Sequence, residues 1–271
     1  MIPLRGLKDA RSERPLGLKL SILAGVLLLA VASGCSSSPL TDSSRPRPSE
    51  ARPGVSREVP ADDPEQEVAA ADQEYRSTSW LPGVVQRAIP FDDARRAQMA
   101  AYSERHYGDG EWRLVRPKLI VQHFAVAPDI DSIFNTFASN NPDPSYGELP
   151  NVCTHFAVDE DGRAVQFVSL NTRCRHVIGL NHLSIGIEHV GYSDADVLNN
   201  SGMLRGSLRL TQQLRCEFGI PIEGVIGHNE SLSSPYFEEQ VPEFQGQTHS
   251  DFTKESMDIY RGELKGLGPC T

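Results

Sequence analysis

One short segment of the chain, LIVQHF at residues 119–124, limits the folds that the sequence can adopt. Read as a β-strand, it carries apolar side chains on both faces, and Leu119, Val121 and His123 share one of them. A strand that is apolar on both faces is typical of the interior of a sheet that is covered on both sides. We therefore expect a sheet with helices on its faces and this segment among its interior strands.

Other segments supply the strands and helices for such a sheet. Strand patterns occur at residues 183–190 (LSIGIEHV) and 224–227, and the segments 154–158 and 164–169 flank a DEDG turn that predicts an antiparallel hairpin. Helix patterns with capping or stopping residues occur at 92–107, 131–138, 203–218 and 253–264. Because strands and helices mix without strict alternation, the predicted fold class is α/β, with a single central mixed sheet flanked by helices.

The N-terminal residues resemble a bacterial lipoprotein signal peptide. Residues 1–19 are basic, and residues 20–32 (LSILAGVLLLAVA) form an apolar run that is short for a membrane span. Small residues then lead to Cys35. The resemblance implies that residues 1–34 are removed and that Cys35 is lipidated, and Ser36 after it favours a periplasmic protein anchored to the outer membrane. An ordinary secretory leader, cut near the same place, is the alternative.

The next part of the chain predicts a tether before the globular domain. Residues 35–74 are rich in Ser, Pro, Arg, Asp and Glu and hold few large apolar residues, so they cannot offset the entropy lost on ordering. We expect this stretch to be disordered. The globular domain, and with it any catalytic function, is expected to occupy residues 75–271.

The charge of the chain excludes some partners. Its formal net charge is −10. Binding to nucleic acid needs clustered Lys and Arg, so no nucleic-acid partner is expected. The same negative charge argues against electrostatic binding to anionic lipids through a polybasic segment. Membrane attachment is thus expected through a lipid on Cys35.

The cysteines after Cys35 matter because an exported chain meets an oxidising compartment. Four remain, Cys153, Cys174, Cys216 and Cys270, and they allow three connectivities. Cys153 and Cys174 flank the predicted hairpin, so they are able to come close, and Cys216 would then pair with Cys270. Buried free thiols are the alternative.

Three predicted strands end in, or carry, residues that are useful for catalysis: His123, Glu188 and His228. Asp251 follows the third strand across a polar loop. Ligands gather at strand ends in sheets of this kind. If these groups meet, two histidines and one carboxylate would leave a tetrahedral zinc ion one open position for water, with Glu188 free to act on that water. Spacing alone does not show that they meet.

The ordered set IVQHFA, THFAVDEDGRAVQFV, RHVIG, LSIGIEHVG, VIGHNES and THSDF resembles the zinc-dependent N-acetylmuramoyl-L-alanine amidases over about residues 117–265. These enzymes share a fold with the phage-lysozyme-type amidases and the peptidoglycan recognition proteins. The resemblance implies one Zn²⁺ ion per chain, held by His123, His228 and Asp251. It implies that Glu188 is the catalytic acid and base.

Four further residues are expected to contribute to the site, and three of them, His249, His176 and Thr154, are assigned by the same resemblance. His249 falls where many relatives have a lysine that stabilises the tetrahedral intermediate, and a histidine there would carry a pH-dependent charge. His176 falls where relatives often have a histidine that lines the substrate groove. Thr154, where some relatives have a tyrosine, and Asn229, next to a metal ligand, are the other expected substrate-binding residues.

The implied reaction is hydrolysis of the amide between the lactyl group of N-acetylmuramic acid and L-alanine of the peptidoglycan stem peptide, by a chain expected to be a monomer. The first alternative is a non-catalytic peptidoglycan-binding lipoprotein of the same fold, although such proteins typically lack a zinc ligand. The second alternative is a zinc hydrolase of another substrate class. The sequence contains no HExxH motif, so the metalloprotease arrangement that uses this motif is not expected.

Overall fold

The segment LIVQHF forms an interior strand of a six-stranded mixed sheet in the computed structural model, which describes residues 80–270. The strands are β1 (Val85–Gln86), β2 (Leu119–Phe124), β3 (Phe156–Val158), β4 (Ala164–Gln166), β5 (Ser184–His189) and β6 (Val225–Gly227). Their order across the sheet is β1-β4-β3-β5-β2-β6. β3 and β4 pair antiparallel as the predicted hairpin, and the other neighbours pair parallel.

Five α-helices accompany this sheet within the described residues: α1 (Asp93–Tyr107), α2 (Ile130–Ala138), α3 (Asp194–Asn199), α4 (Ser201–Glu217) and α5 (Lys254–Gly266). Side chains cap their N-termini as the sequence suggests, and Thr253, for example, accepts the backbone N–H of Ser256. Gly108, with φ 74°, ends α1 in the left-handed conformation that glycine adopts without strain. The mixed α/β class with helices around one sheet is thereby confirmed.

The predicted elements and the observed ones differ mainly in the hairpin and in two short elements. Pairing of β4 stops at Gln166 because the next two amides, of Phe167 and Val168, both lie within bonding distance of the carbonyl of His155. Two residues on one strand that face a single residue on its partner are typical of a β-bulge, which interrupts the regular pairing of the two strands. The sequence patterns did not predict β1 or α3.

Two disulfide bonds join parts of the chain that are distant in sequence. Cys153 pairs with Cys174, which ties the start of the hairpin to the segment before β5. Cys216 pairs with Cys270, which ties the C-terminal tail to the end of α4. This is the connectivity that the hairpin suggested.

The leader, the tether and Cys35 lie outside the described residues. Within residues 80–270, none of the helices is long and apolar enough to cross a membrane.

The glycine at the end of β6 allows another part of the chain to pack directly on the strand. A Cβ atom at Gly227 would lie 1.9 Å from the carbonyl oxygen of Phe252 and 2.7 Å from its Cβ atom. Both distances are far below van der Waals contact. The segment around Phe252 therefore needs glycine at this position.

We expect Gly227→Ala to lower the free energy of unfolding by about 1–3 kcal/mol, because the added methyl group must displace backbone atoms. Gly262→Ala in α5 is the matched control, since a Cβ atom there would meet nothing within 4 Å. The control should gain about 0.5–1 kcal/mol from its higher helix propensity. Urea unfolding measures both changes. Equal stabilities for the two variants would show that the close approach at Gly227 is not tight.

Candidate active site

The register of three parallel strands brings reactive residues together at one edge of the sheet. His123 on β2 is the partner of Glu188 on β5, and Gln122 is the partner of Gly227 on β6. His228 directly follows Gly227, so it lies at the level of His123. Because these strands run parallel, their carboxyl ends meet at the same edge, which is where open α/β sheets bind ligands.

Three candidate metal ligands converge at this edge. The Nδ1 atoms of His123 and His228 are 3.0 Å apart. Asp251 places Oδ2 at 3.1 Å from Nδ1 of His123 and Oδ1 at 3.4 Å from Nδ1 of His228. All three residues are buried, and their ligand atoms lie within 4.8 Å of one another.

These distances fit a tetrahedral metal ion. Zinc bonds to nitrogen and carboxylate oxygen are about 2.0–2.2 Å long, so two ligands of a tetrahedral site lie about 3.3–3.6 Å apart. The observed separations of 3.0, 3.1 and 3.4 Å are close to this value. Two ring nitrogens that face each other at 3.0 Å also need a proton or a cation between them. The donor set therefore suits a zinc ion with one further open position.

The protonation states of the ligands suit the same interpretation. Burial lowers the pKa of His123 to about 4, although the hydrogen bond with Asp251 opposes this shift. The ring is therefore neutral at pH 7. Burial would raise the pKa of Asp251, but hydrogen bonds with His123 and His228 outweigh it and hold the pKa well below its usual range. A neutral imidazole and an ionised carboxylate are the forms that bind a metal.

A buried turn that the sequence patterns did not reveal holds Asp251 in place. The next residue, Phe252, is fully buried and has φ 51°, a conformation that bulky residues rarely adopt. Asp194, in the first turn of α3, accepts the backbone N–H groups of Phe252 and Thr253 at 2.7 and 3.0 Å. Strained residues of this kind persist only where the surroundings fix them. Asp194 and Gly227 thus both determine where the third ligand lies.

Glu188 lines the same cavity as the three ligands and is buried. Its Oε2 atom has no hydrogen-bond partner among the described residues. Burial, and after it the charge of Asp251, raises the pKa of Glu188 well above its usual range. A buried carboxyl with an unpartnered oxygen beside a cavity is a candidate for proton transfer to or from a ligand. A nearby cation would favour its ionised form.

His249 stacks on the candidate metal ligand His228 and faces the cavity. Its ring lies parallel to that of His228, with an interplanar angle of 6° and centroids 4.6 Å apart. Although part of its surface is exposed, partial desolvation and, after it, the neighbouring His228 lower the pKa of His249, so the ring is neutral at pH 7 and carries one N–H. Asn229 holds this loop, because its side-chain amide donates to the carbonyl of His249 at 3.0 Å and its backbone N–H donates to the carbonyl of Asp251 at 2.9 Å.

Two residues that we expected to bind substrate have other contacts. Thr154 is fully buried, lines neither cavity described below, and donates its hydroxyl hydrogen to the carbonyl of Phe156 at 3.2 Å. Its hydroxyl is therefore engaged with the backbone inside the fold. His176 does line the cavity, but its Nδ1 atom lies 3.1 Å from Nε2 of His123. Its ring is therefore engaged with the candidate metal ligand His123.

Two adjoining cavities open at this edge of the sheet. One, of about 540 Å³, contains the candidate ligands and Glu188, and the other, of about 420 Å³, contains Tyr146 and the loop before it. Both reach Arg175 and His176. Arg175 is not free to bind a ligand charge, because its guanidinium pairs with Asp143 at 2.8 Å and donates to the carbonyl of Pro150 at 2.6 Å.

A buried histidine on α1 joins two loops beside the second cavity. The ring of His106 contacts Glu239 through Nδ1 at 2.8 Å and Glu148 through Nε2 at 3.0 Å. Burial disfavours the charged ring, but the hydrogen bonds to Glu148 and Glu239 outweigh it and raise the pKa of His106. The protonated ring thus bridges the loop that contains Glu148 and the loop that contains Glu239.

A family model described as N-acetylmuramoyl-L-alanine amidase matches residues 113–248, half of the 271-residue chain. The matched stretch contains His123, Glu188 and His228. It ends just before His249 and Asp251. The match therefore does not include His249 and Asp251, whose positions beside the other residues are known from the structure.

Several solved structures are similar to the chain at low sequence identity. The endolysin N-acetylmuramoyl-L-alanine amidase LysCS from Clostridium intestinale URNW is 16% identical, with a TM-score of 0.41 over 69% of this chain and 95% of that one. A selenomethionine derivative of AmpD is 19% identical, with a TM-score of 0.40 over 67% and 96%. PGRP-SA from Apis mellifera is 20% identical, with a TM-score of 0.34 over 43% and 73%. None of the curated proteins matches the chain.

The bridge at His106 predicts a pH dependence of stability. A histidine whose pKa is raised by folding stabilises the folded state. This contribution is fully present below the pKa of the residue in the unfolded state, about 6.5, and it is lost as the pH rises through its pKa in the folded state. With a chelator present, the unfolding free energy of the wild type minus that of His106→Gln should therefore fall as the pH rises above about 6.5.

His182→Gln is the matched control for this measurement. Burial, and after it the charge of Arg173, lowers the pKa of His182 to about 4, so its effect has the opposite sign. The unfolding free energy of the wild type minus that of this control should fall as the pH drops from about 6.5 towards 4. A His106 difference that does not change with pH would contradict a protonated bridge.

Proposed function

Since the chain belongs to the N-acetylmuramoyl-L-alanine amidase family, we propose that it hydrolyses the amide bond between the lactyl group of N-acetylmuramic acid and L-alanine of the stem peptide. The substrate is peptidoglycan or a fragment of it. The observation that carries the proposal is the convergence of His123, His228 and Asp251 beside the buried carboxyl of Glu188, in one cavity.

In this proposal His123, His228 and Asp251 hold one zinc ion. When bound, zinc acts as a Lewis acid that lowers the pKa of a water ligand from about 16 to about 7. The side chains of all three ligands are buried, and they line one wall of the cavity. Burial strengthens the electrostatic effects on which such a site depends.

Glu188 is proposed to move the proton. Its carboxylate takes a proton from the attacking water and passes it to the nitrogen of the leaving L-alanine. Burial favours the protonated form of Glu188, so the group is suited to holding the proton between the two transfers. Such a general acid and base contributes about 10²–10⁴-fold to the rate.

His249 is proposed to stabilise the charge that develops on the lactyl carbonyl oxygen. The family lysine would do so with a full charge, whereas a neutral imidazole does so with one N–H. A well-placed donor of this kind is worth about 3–4 kcal/mol in the transition state. The lowered pKa of His249 supports this neutral role over the charged one.

We also propose that the protein acts in the periplasm as a monomer, anchored to the outer membrane by a lipid on Cys35. The basic and apolar leader and the small residues before the cysteine support this placement. Residues 35–74 would then let the domain reach the cell wall from the membrane surface.

Digestion of purified sacculi tests metal dependence. The full chain should release stem peptides with a free L-alanine amino group, and a chelator should abolish this release because it removes the zinc ion. Added Zn²⁺ should restore the release, which is followed by mass spectrometry of the soluble peptides. Undiminished release in chelator would overturn the zinc mechanism. Binding to sacculi without release would favour the non-catalytic alternative.

Glu188→Gln tests the acid and base assignment. We expect kcat to fall by about 10²–10⁴-fold, because the amide cannot accept the proton, while zinc content stays at one ion per chain. Glu160→Gln, at an exposed position in the hairpin turn, is the matched control and should keep full activity. Full activity of Glu188→Gln would remove Glu188 from the mechanism.

A further inference from the structure

His176 lies against the edge of the His123 ring that faces away from the candidate metal position. Nδ1 of His123 faces His228 and Asp251, whereas its Nε2 lies 3.1 Å from Nδ1 of His176. The two rings are nearly perpendicular, with an interplanar angle of 88° and centroids 5.2 Å apart. A hydrogen bond between these two nitrogens needs a proton on one of them.

The direction of that hydrogen bond follows from the metal site. If Nδ1 of His123 gives its lone pair to a metal ion, the ring proton is on Nε2 and is donated to Nδ1 of His176. His176 then carries its proton on Nε2, which lies 3.2 Å from the hydroxyl of Ser184. The Ser184 hydroxyl donates in turn to the carbonyl of Leu180 at 2.7 Å. Every donor in this chain of hydrogen bonds has an acceptor.

We propose that His176 is a positioning residue for the metal site, which fixes the His123 ring in the tautomer and orientation that present Nδ1 to a metal ion. The proposal rests on the zinc site proposed above. It replaces the substrate contact that we expected for His176 from the sequence. A histidine ligand whose second ring nitrogen is held by an acceptor binds metal more tightly than one without such a partner.

The surroundings hold the ring of His176 in place from two sides. The side-chain oxygen of Asn181 accepts the backbone N–H groups of His176 and Val177, both at 2.8 Å. On the other side, Gly186 of β5 lies directly under the ring, and a Cβ atom there would be 2.8 Å from both Cγ and Nδ1 of His176. A side chain at residue 186 would therefore displace the ring of His176 from its present position against His123.

One face of β5 therefore supports the site at three successive positions. Ser184, Gly186 and Glu188 share this face, because side chains alternate along a strand. Ser184 accepts a hydrogen bond from the ring of His176, Gly186 leaves room for that ring, and Glu188 lines the cavity beside the candidate ligands. This arrangement gives a reason for the small residues in the sequence LSIGIE.

Zinc affinity of the full chain, measured by competition with a chromophoric chelator, tests the proposal. His176→Phe keeps a ring of similar size but removes the acceptor, so we expect the dissociation constant for zinc to rise by about 10- to 100-fold. His176→Asn offers an amide oxygen near the position of Nδ1 and should recover most of this loss. A residue that only fills space would show the reverse order, with Phe the better replacement.

Two further variants separate positioning from folding. Gly186→Ala leaves every donor and acceptor in place but displaces the His176 ring, so it should also raise the dissociation constant for zinc. His182→Phe is the matched control, because His182 packs against Tyr107 outside the site, and its zinc affinity should equal that of the wild type. Thermal unfolding of each metal-free variant reports losses of stability separately from losses of affinity.

The outcomes distinguish this proposal from the one on which it rests. A wild-type chain that binds no zinc would overturn the zinc site and the role of His176 together. A wild type that binds one zinc ion, with His176→Phe binding equally tightly, would overturn the role of His176 alone. If His176→Phe does not fold, the zinc affinities of His176→Asn and Gly186→Ala are compared with that of the wild type. A zinc affinity of Gly186→Ala equal to that of the wild type would then contradict the proposal.

Discussion

The parallel pairing of β2 with β5 and β6 determines where the reactive groups of this protein lie. Burial on both faces fixes the register of these strands, since a shift by one residue would turn every buried side chain to the opposite face. With this register, His123 and Glu188 are side by side, and His228 follows at the same level. The chemistry of the edge is therefore a consequence of packing in the core.

A buried polar network behind β2 adds to this constraint. The ring of His189 donates to the backbone carbonyl of His123 at 2.7 Å and contacts the Ser207 hydroxyl at 2.7 Å. The hydroxyl of Tyr260 joins Ser207 to Thr211, which accepts the amide of Gln122 at 3.1 Å. Connected networks of this kind hold a single arrangement, because a buried polar group without a partner is costly. His189 thus holds the backbone of the candidate ligand His123 from one face of the sheet, while His176 and Asp251 contact its ring on the other.

The parts of this structure that the sequence predicted share strong local signals. The strand at LIVQHF, the hairpin turn and the longer helices combine apolar periodicity with caps or glycines, and their bounds agree with the structure within a few residues. β1 and α3 have too few residues for a period to show. The turn that holds Asp251 depends on Asp194, which is distant in sequence, so no local pattern reveals it. Convergence of the ligands is likewise a tertiary property, and only the resemblance suggested it.

The roles of His176 and Thr154 illustrate the same limit at the level of single residues. Both were expected at the substrate because of where they stand in the motifs. In the structure, His176 contacts the candidate metal ligand His123, and Thr154 donates to the backbone carbonyl of Phe156.

X-ray absorption at the zinc edge of the zinc-loaded full chain tests the central claim most directly, because it reports the atoms bound to the ion. The account predicts two imidazole nitrogens at about 2.0–2.1 Å and oxygen ligands at about 2.0–2.2 Å, in a four-coordinate site. Sulfur ligands at about 2.3 Å, or a shell of oxygen atoms without imidazole, would contradict it.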